Sequence, residues 1–295
     1  MYYAHSKYIG DKKFFNIFVY KRFTRIFPLY WLANFIVIIL LFNIPIFGIE
    51  FLRDPKYILK SLLLIPQENG FLLPQAWTLT YELIFYIMFS LLIFNNKKLI
   101  IYTYLTWSIM FVLNIFNIIP KNILTLTLFN NLFLEFIIGY VTAFLILKFK
   151  NKFSTIKAIA FIVIGFTLFL LFGNLFIFSN NIIRCFSGFS FSLILFGTSI
   201  IDLNLKLNLP NLLTSIGNAS FSIYLTHFTI LQFVVPYIYK NQILNIYGIN
   251  KTITLISVLL VLIGLLVHIL IKKPLVKLFK LKKSNINYSK SKITY

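Results

Sequence analysis

Acidic residues are scarce in this chain of 295 residues, which contains 7 Asp and Glu against 28 Lys and Arg. Only 12% of its residues are charged, about half the share that is usual in a soluble domain. Apolar residues make up 59%, and the mean hydropathy is +0.88. Because so few polar groups cannot cover the surface of a protein in water, the composition indicates a protein that lies in a lipid bilayer.

Cysteine is also nearly absent. The one cysteine, Cys185, cannot form an internal disulfide and lies in an apolar stretch, which favours a buried structural thiol. Neither a CxxC nor an HExxH pattern occurs, so we predict no bound metal and no bound cofactor. Residues 1–26 lack the apolar run and the cleavage site of a signal peptide. We predict that they form a basic cytoplasmic leader.

Long apolar runs make up most of the remaining chain. A helix needs ~20 apolar residues to cross the ~30 Å hydrocarbon core of a bilayer. The runs also lack the two-residue alternation of a membrane barrel. We therefore predict an all-α fold, a polytopic membrane helical bundle whose domain covers residues 27–271. Eight spans are predicted, at 27–43, 76–94, 99–119, 130–148, 156–178, 182–201, 219–239 and 251–271.

The distribution of basic residues predicts the orientation. With the N-terminus inside, the inner segments contain 21 of the 28 Lys and Arg and the outer loops contain 6, with Arg184 at a helix edge. Since Lys and Arg are enriched in cytoplasmic loops, both termini are predicted to be cytoplasmic. The basic residues lie between apolar blocks, which argues against a nucleic-acid partner. The tail, 272–295, is predicted to be disordered and held to anionic lipid by its charge.

Two further local patterns give structural expectations. The segment 44–75 is rich in Pro and Gly and is predicted to be an outer loop with one short helix near 56–65. Gly139 and Ala143 form a small-xxx-small pair, which predicts a close approach of two helix backbones.

Ionisable side chains inside a membrane are costly, and they are therefore candidates for function. In the predicted spans these are Glu82, Glu135, His227 and His268. Helical spacing places Thr78, Glu82 and Tyr86 on one stripe. A carboxylate there would orient a histidine, act as a base or bind acceptor hydroxyls. The alternative is a protonated packing residue.

Two more constellations lie near helix ends. Arg22 and Arg25 are three residues apart and share a helical face, an arrangement that suits a phosphate-rich cytoplasmic ligand. The alternative is that the two arginines only anchor the helix at the membrane surface, with Tyr30 and Trp31 as an aromatic belt. A third stripe consists of Ser220, Tyr224 and His227, for which a structural pairing of the tyrosine and the histidine is the alternative.

The ordered set of motifs resembles the acyltransferase-3 family of membrane acyltransferases. That family has an R-x-x-R followed by I-x-P-x-Y-W, a later W-[ST]-L-x-x-E-x-x-F-Y, and a late S-[FY]-S-x-Y-L-x-H. The chain has all three, at 22–31, 77–86 and 220–227. Its F-x-x-G-x-x-x-A at 136–143 and its Lys273-Pro274 are similar to further family elements. The resemblance covers residues from about 20 to 280.

The resemblance implies an enzyme, an acyltransferase that transfers groups other than amino-acyl groups. Its members commonly move acetyl from cytoplasmic acetyl-CoA, a co-substrate, to envelope carbohydrate, which implies O-acetylation of a polysaccharide or glycolipid at a bacterial inner membrane. Arg22 and Arg25 would then bind the donor, and Glu82 would be catalytic, with His227 and Tyr224 as further catalytic candidates. Residues on the acceptor side would be Trp77, Thr78, Tyr81 and Tyr86.

The chain departs from the family in two ways. The family usually has ten spans, and its proposed catalytic histidine lies in the first of them, whereas neither His5 nor His227 stands at that place. We therefore predict that the natural reading frame extends upstream by roughly 40–60 residues, with a histidine in its first apolar run, and that the 295-residue chain alone is nearly inactive. The second departure is Lys272, where the family often has a glutamate.

Two other classes of function stay open at the level of the sequence. A proton-coupled transporter or flippase would use Glu82 and His227 as a relay, and it predicts helices broken at mid-span. A non-catalytic membrane scaffold is the other alternative.

Overall fold

The computed structural model describes residues 11–43, 50–91, 93, 97–116, 118–130, 132–149, 152–173 and 181–279. Within these ranges the regular structure is helical and contains no strand. The α-helices are α1 Phe15–Asn43, α2 Pro55–Leu62, α3 Trp77–Leu91, α4 Lys97–Ile115, α5 Ile123–Leu128, α6 Leu132–Phe149, α7 Thr155–Gly173, α8 Asn181–Leu205, α9 Asn211–Lys240, α10 Ile243–Tyr247, α11 Ile249–Val267 and α12 Lys273–Leu278. Segments of 3-10 helix cover Lys12–Phe14, Glu50–Arg53 and Pro74–Ala76, and a π-helical segment covers His268–Lys272.

In the described part of the chain, six helical stretches are long and apolar enough to cross a membrane. They confirm the predicted all-α membrane fold. The predicted spans 76–94 and 99–119 coincide with α3 and α4, which are not among the six, so the count of eight stays a prediction. The six stretches are Phe15–Asn43, Ile123–Phe149, Thr155–Phe172, Phe186–Leu205, Asn211–Lys240 and Ile249–Leu278.

The first helix begins earlier than the predicted span. Its 29 residues start at Phe15, inside the segment predicted as a leader. A helix of this length measures ~43 Å, more than the ~30 Å hydrocarbon core. Burial explains the early start, because Phe18 is only 1% exposed and packs against Phe89 and Ile93. The two arginines of α1 therefore lie on the helix itself.

At the other end the chain stays helical past its predicted span. The π-helical segment and α12 continue to Leu278. The first residues of the predicted tail, up to Leu278, are thus helical. Disorder stays a prediction for 280–295, which lie outside the described residues, as do residues 1–10 of the leader.

The described chain divides into two compact units. Unit 1 consists of Met1–Tyr20 and Ile44–Leu213, and unit 2 consists of Lys21–Asn43 and Thr214–Tyr295. Unit 1 contains α2 to α8. Unit 2 contains most of α1 and of α9, together with α10, α11, the π-helical segment and α12.

Two glycines allow α7 and α8 of unit 1 to pack closely. A Cβ at Gly165 would lie 2.7 Å from the carbonyl oxygen of Ser190, and one at Gly197 would lie 2.5 Å from that of Ala158. The close approach predicted at Gly139 was wrong, since a Cβ there would meet none of the described atoms within 4 Å. The small residues that let two helix backbones meet are thus Gly165 on α7 and Gly197 on α8, and not Gly139 on α6.

The segment 55–72 of unit 1 is ordered by one serine. The predicted short helix is confirmed as α2, whose first turn is capped by Asp54. Ser61 is fully buried, and its hydroxyl oxygen accepts hydrogen bonds from Gln67 Nε2 at 2.8 Å and from the backbone N–H of Leu72 at 3.3 Å. Burial raises the pKa of the Tyr57 hydroxyl, and the nearby Ser61 hydroxyl partly opposes that rise. These contacts order the loop, and the Thr80 hydroxyl of α3 donates to the carbonyl oxygen of Leu64 at 3.2 Å, which joins the loop to that helix.

Candidate functional site

The stripe that contains Glu82 lies on α3 in unit 1. The helix follows directly on the turn Pro74–Ala76, and the Thr78 hydroxyl donates to the carbonyl oxygen of Gln75 at 3.3 Å. Thr78 thus helps to shape the start of the helix. Thr78 lies four residues, about one helical turn, before Glu82, so the two residues share a face of α3, as predicted.

Tyr86 and Glu82 form the polar centre of that stripe. The phenol hydroxyl of Tyr86 donates a hydrogen bond to Glu82 Oε1, one turn apart on the same helix. Tyr86 is buried, at 6% exposure, whereas Glu82 is half-buried. Among the described residues no donor contacts the second oxygen, Oε2. The tyrosine therefore orients the carboxylate and leaves one oxygen available to a substrate hydroxyl.

A second stripe of α3, next to that of Glu82, is aromatic and contacts α6. The rings of Trp77 and Tyr81 meet edge to face at 5.9 Å, and Tyr81 meets Phe133 of α6 at 5.7 Å. Trp77 is 45% exposed. Tyr81 thus joins α3 to α6, while Trp77 offers an accessible aromatic surface on the helix that carries Glu82.

An aromatic cavity of about 390 Å³ lies along the next two turns of α3. The Tyr104 hydroxyl of α4 donates to the carbonyl oxygen of Met88 at 3.2 Å and so joins α4 to α3 at this cavity. Pockets of this size with apolar walls and few polar groups are typical ligand sites. Among the residues that line it are Phe85, Met88, Phe89, Tyr104, Trp107 and Tyr140.

The two arginines of α1 belong to unit 2 and differ in exposure. Arg22 is 9% exposed, whereas Arg25 is exposed. Of the two rings of the alternative aromatic belt, Tyr30 is fully buried, while Trp31 is 39% exposed and packs against half-buried Phe27 with ring centres 5.2 Å apart. The face of α1 that carries Arg22 is therefore a packed face, and a role as a surface anchor suits Arg22 poorly.

His227 and Tyr224 lie on α9, also in unit 2. The ring nitrogen Nδ1 of His227 is 2.5 Å from the carbonyl oxygen of Tyr224. Because a carbonyl oxygen only accepts, Nδ1 carries the proton, and in the neutral ring Nε2 holds the lone pair. In half-buried His227, Nε2 is thus the nitrogen that accepts a proton if the residue acts as a general base. The rings of the two residues are 5.6 Å apart.

Sequence reasoning missed a second cation beside Arg25. The ammonium group of Lys272 lies close enough to Arg25 for the two charges to interact, and it donates to the carbonyl oxygen of Asn218 at 3.4 Å. It also lies 5.2 Å from the centre of the Phe221 ring. The signal in the sequence was the departure at Lys272 itself, directly before Lys273 and Pro274. Unit 2 therefore brings two positive charges together at one end of its helices.

The predicted site residues are divided between the two units. Glu82, Tyr86, Trp77, Thr78 and Tyr81 lie together in unit 1. Unit 2 contains the candidates Arg22, Arg25, Tyr224 and His227. The broken helices that a transporter predicts are not found at the two internal prolines, since α1 continues through Pro28 and α9 through Pro236.

Comparison with known proteins gives one match. The family model Acyl_transf_3, described as an acyltransferase domain, matches residues 5–272. No curated protein and no solved structure matches the chain. The matched range covers the motifs of α1, α3 and α9 and ends at Lys272.

Proposed function

This chain belongs to the acyltransferase-3 family of membrane acyltransferases, and on that basis we propose that it transfers an acetyl group from cytoplasmic acetyl-CoA to a hydroxyl group of an envelope polysaccharide or glycolipid. The observation that carries the proposal is the family match over residues 5–272, which spans most of the chain. The acetyl group, the CoA donor and the carbohydrate acceptor are the parts that we propose.

The charges of unit 2 support a donor that carries phosphates. Arg25 lies beside Lys272 at one end of the unit, and Arg22 is one turn away from Arg25. A guanidinium group presents paired donors that match a phosphate group, and coenzyme A carries several phosphates. The predicted inner segments contain 21 Lys and Arg, and the predicted outer loops contain 6. This excess supports an inner-membrane protein whose two termini, and whose Arg25 and Lys272, lie on the cytoplasmic side.

The acceptor side is assigned to α3 of unit 1. Transfer to a hydroxyl group requires that its proton be removed as the acyl group arrives. Glu82 has one carboxylate oxygen fixed by Tyr86, and its other oxygen faces no donor among the described residues. Exposed Trp77 and the ring of Tyr81 would position a sugar beside it. His227, with its lone pair on Nε2, is the second candidate base.

The donor site is tested by binding of radiolabelled acetyl-CoA to the purified chain in lipid nanodiscs. Arg25→Ala and Arg22→Ala should each weaken binding about tenfold or more, because each removes a charge-assisted contact to phosphate. Arg25→Lys should restore binding only partly, since an ammonium group cannot form the paired contact. Arg53→Ala, which removes an exposed arginine from unit 1, is the matched control and should bind normally.

Normal binding by both alanine variants would show that the arginines are helix anchors. Absence of acetyl-CoA binding to the unaltered chain would contradict the proposed donor.

A further inference from the structure

A polar region of unit 2 lies where α9 packs against α11 and the π-helical segment. Two contacts fix that packing. A Cβ at Gly264 would lie 2.7 Å from the Cα of Ile223, and Lys272 Nζ donates to the carbonyl oxygen of Asn218. The higher residue number on one helix faces the lower on the other, so the two helices are antiparallel. Residues 219–222 therefore lie opposite residues 265–271.

Two buried polar atoms lie between those contacts. Ser222 is fully buried and His268 is 8% exposed. The Ser222 hydroxyl and His268 Nδ1 are buried, and among the described residues neither has a hydrogen-bond partner. A buried polar group is normally paired, and each exception calls for an explanation such as a ligand. Two such atoms across one helix contact point to a bound molecule with polar groups.

The backbone beside these atoms is irregular for a reason that the sequence gives. Pro274 has no N–H, and its ring would clash with the carbonyl group of Leu270 in a regular α-helix. The chain instead widens into the π-helical segment His268–Lys272. Single π-helical turns occur frequently at functional sites. The segment begins at His268 and ends at Lys272, so one irregular turn carries both the histidine and the second cation.

Helical rise orders the polar groups of unit 2 by depth. Arg25 and Lys272 lie together at one end, and Ser222 and His268 are each about one turn, ~6 Å, further along their helices. His227 on α9 lies nine residues beyond Asn218, or ~14 Å by the same rise. The groups thus run from two cations, past two unpaired polar atoms, to a histidine with a free lone pair.

We propose that Lys272, Ser222 and His268 bind the acyl-CoA donor, with Lys272 and Arg25 on its phosphates and with Ser222 and His268 on the amide groups of its pantetheine arm. The assignment rests on the proposed function, in which acyl-CoA is the donor. Each pantetheine amide offers one N–H donor and one carbonyl acceptor, which suit a hydroxyl group and an imidazole nitrogen. The arm would then point from the cations towards His227.

The test uses two probes, coenzyme A and adenosine 3′,5′-bisphosphate, which has phosphates but no pantetheine arm. Their binding to the purified chain in nanodiscs is measured for four variants. His268→Leu and Ser222→Ala should weaken binding of coenzyme A about three- to tenfold, the usual effect of one lost hydrogen bond, and leave the bisphosphate unaffected. Lys272→Met should weaken both probes. His268→Asn keeps a polar atom near the position of Nδ1 and should bind coenzyme A almost normally.

Two controls on α11 separate binding from packing. Ser257→Ala removes an exposed hydroxyl that donates to its own helix at 2.9 Å, and Lys251→Met removes an exposed charge at the opposite end of that helix. Both should bind the two probes normally.

The outcomes separate this inference from the proposed function. If the unaltered chain binds no coenzyme A, the proposed function fails. If it binds coenzyme A and His268→Leu and Ser222→Ala bind it equally well, only the present inference is overturned, and the two side chains serve packing. An equal loss of both probes in His268→Leu would also overturn it, because the arm would then play no part.

Discussion

At the scale of single residues, the hydrogen bond from Tyr86 to Glu82 makes the chemistry of this carboxylate testable. Glu82→Gln keeps the size and the hydrogen bonding of the side chain but cannot ionise. We expect this change, made in the chromosomal gene, to lower acyl transfer about 100-fold or more, the usual range for loss of an acid–base group. The measurement is the acetyl content of the envelope carbohydrate, normalised to the amount of protein in the membrane.

Glu135→Gln is the matched control for that prediction. Glu135 is the other acidic residue in the predicted spans, and it is exposed on α6 of unit 1. Its replacement should leave acetylation unchanged. An active Glu82→Gln enzyme would return Glu82 to a packing role.

The sequence predicted contacts between side chains correctly where the two residues are close in the sequence. Thr78, Glu82 and Tyr86 were placed on one stripe because residues four apart share a helical face, and the hydrogen bond between the last two confirms the geometry. The neighbourhood of Arg25 and Lys272 was not predictable in the same way. These two residues lie near opposite ends of the sequence, and no pattern in a single sequence states which helices meet.

At the scale of elements, the pairing of α7 and α8 depends on glycines at their contact. Gly197→Ala would place a methyl group 2.5 Å from the carbonyl oxygen of Ala158, and Gly165→Ala would place one 2.7 Å from that of Ser190. Because both carbonyl oxygens belong to the backbone, the helices must move apart. We expect each change to lower the free energy of unfolding by about 1–3 kcal/mol, measured by thermal or denaturant unfolding in detergent.

Gly139→Ala provides the control at this scale. A Cβ there meets none of the described atoms within 4 Å, and alanine is the better helix former by about 1 kcal/mol. The variant should therefore be as stable as the unaltered chain or slightly more so. A destabilised Gly139→Ala with a stable Gly197→Ala would show that the motif at 136–143, and not the α7–α8 contact, carries the close approach.

The sequence predicted correctly that most of the helices exist. It did not predict where they begin and end or which helices contact each other. Apolar length predicted the helical stretches, and the short helix predicted within the Pro- and Gly-rich segment 44–75 is present as α2. The early start of α1 was missed because it depends on tertiary burial of Phe18. The π-helical turn was missed as well, although Pro274 gives a physical reason for it.

At the scale of the whole molecule, the basic residues predict the orientation. In a chain whose Cys185 is replaced by serine, a cysteine introduced at Glu68, an exposed position in the outer loop, should react with an impermeant thiol reagent added to intact cells. A cysteine introduced at exposed Lys152 should react only after the cells are opened. Labelling of Lys152→Cys but not of Glu68→Cys in intact cells would invert the orientation and move the donor site to the outer face.

The sidedness of acetyl transfer tests the central claim most directly. Membrane vesicles of both orientations are prepared from cells that carry the gene at its natural locus, and radiolabelled acetyl-CoA is added from outside. The account predicts that label enters the carbohydrate or glycolipid fraction in inside-out vesicles, where the donor reaches the end with Arg25 and Lys272, and not in right-side-out vesicles. Labelling no greater than in vesicles from a strain without the gene, or labelling confined to right-side-out vesicles, would contradict it.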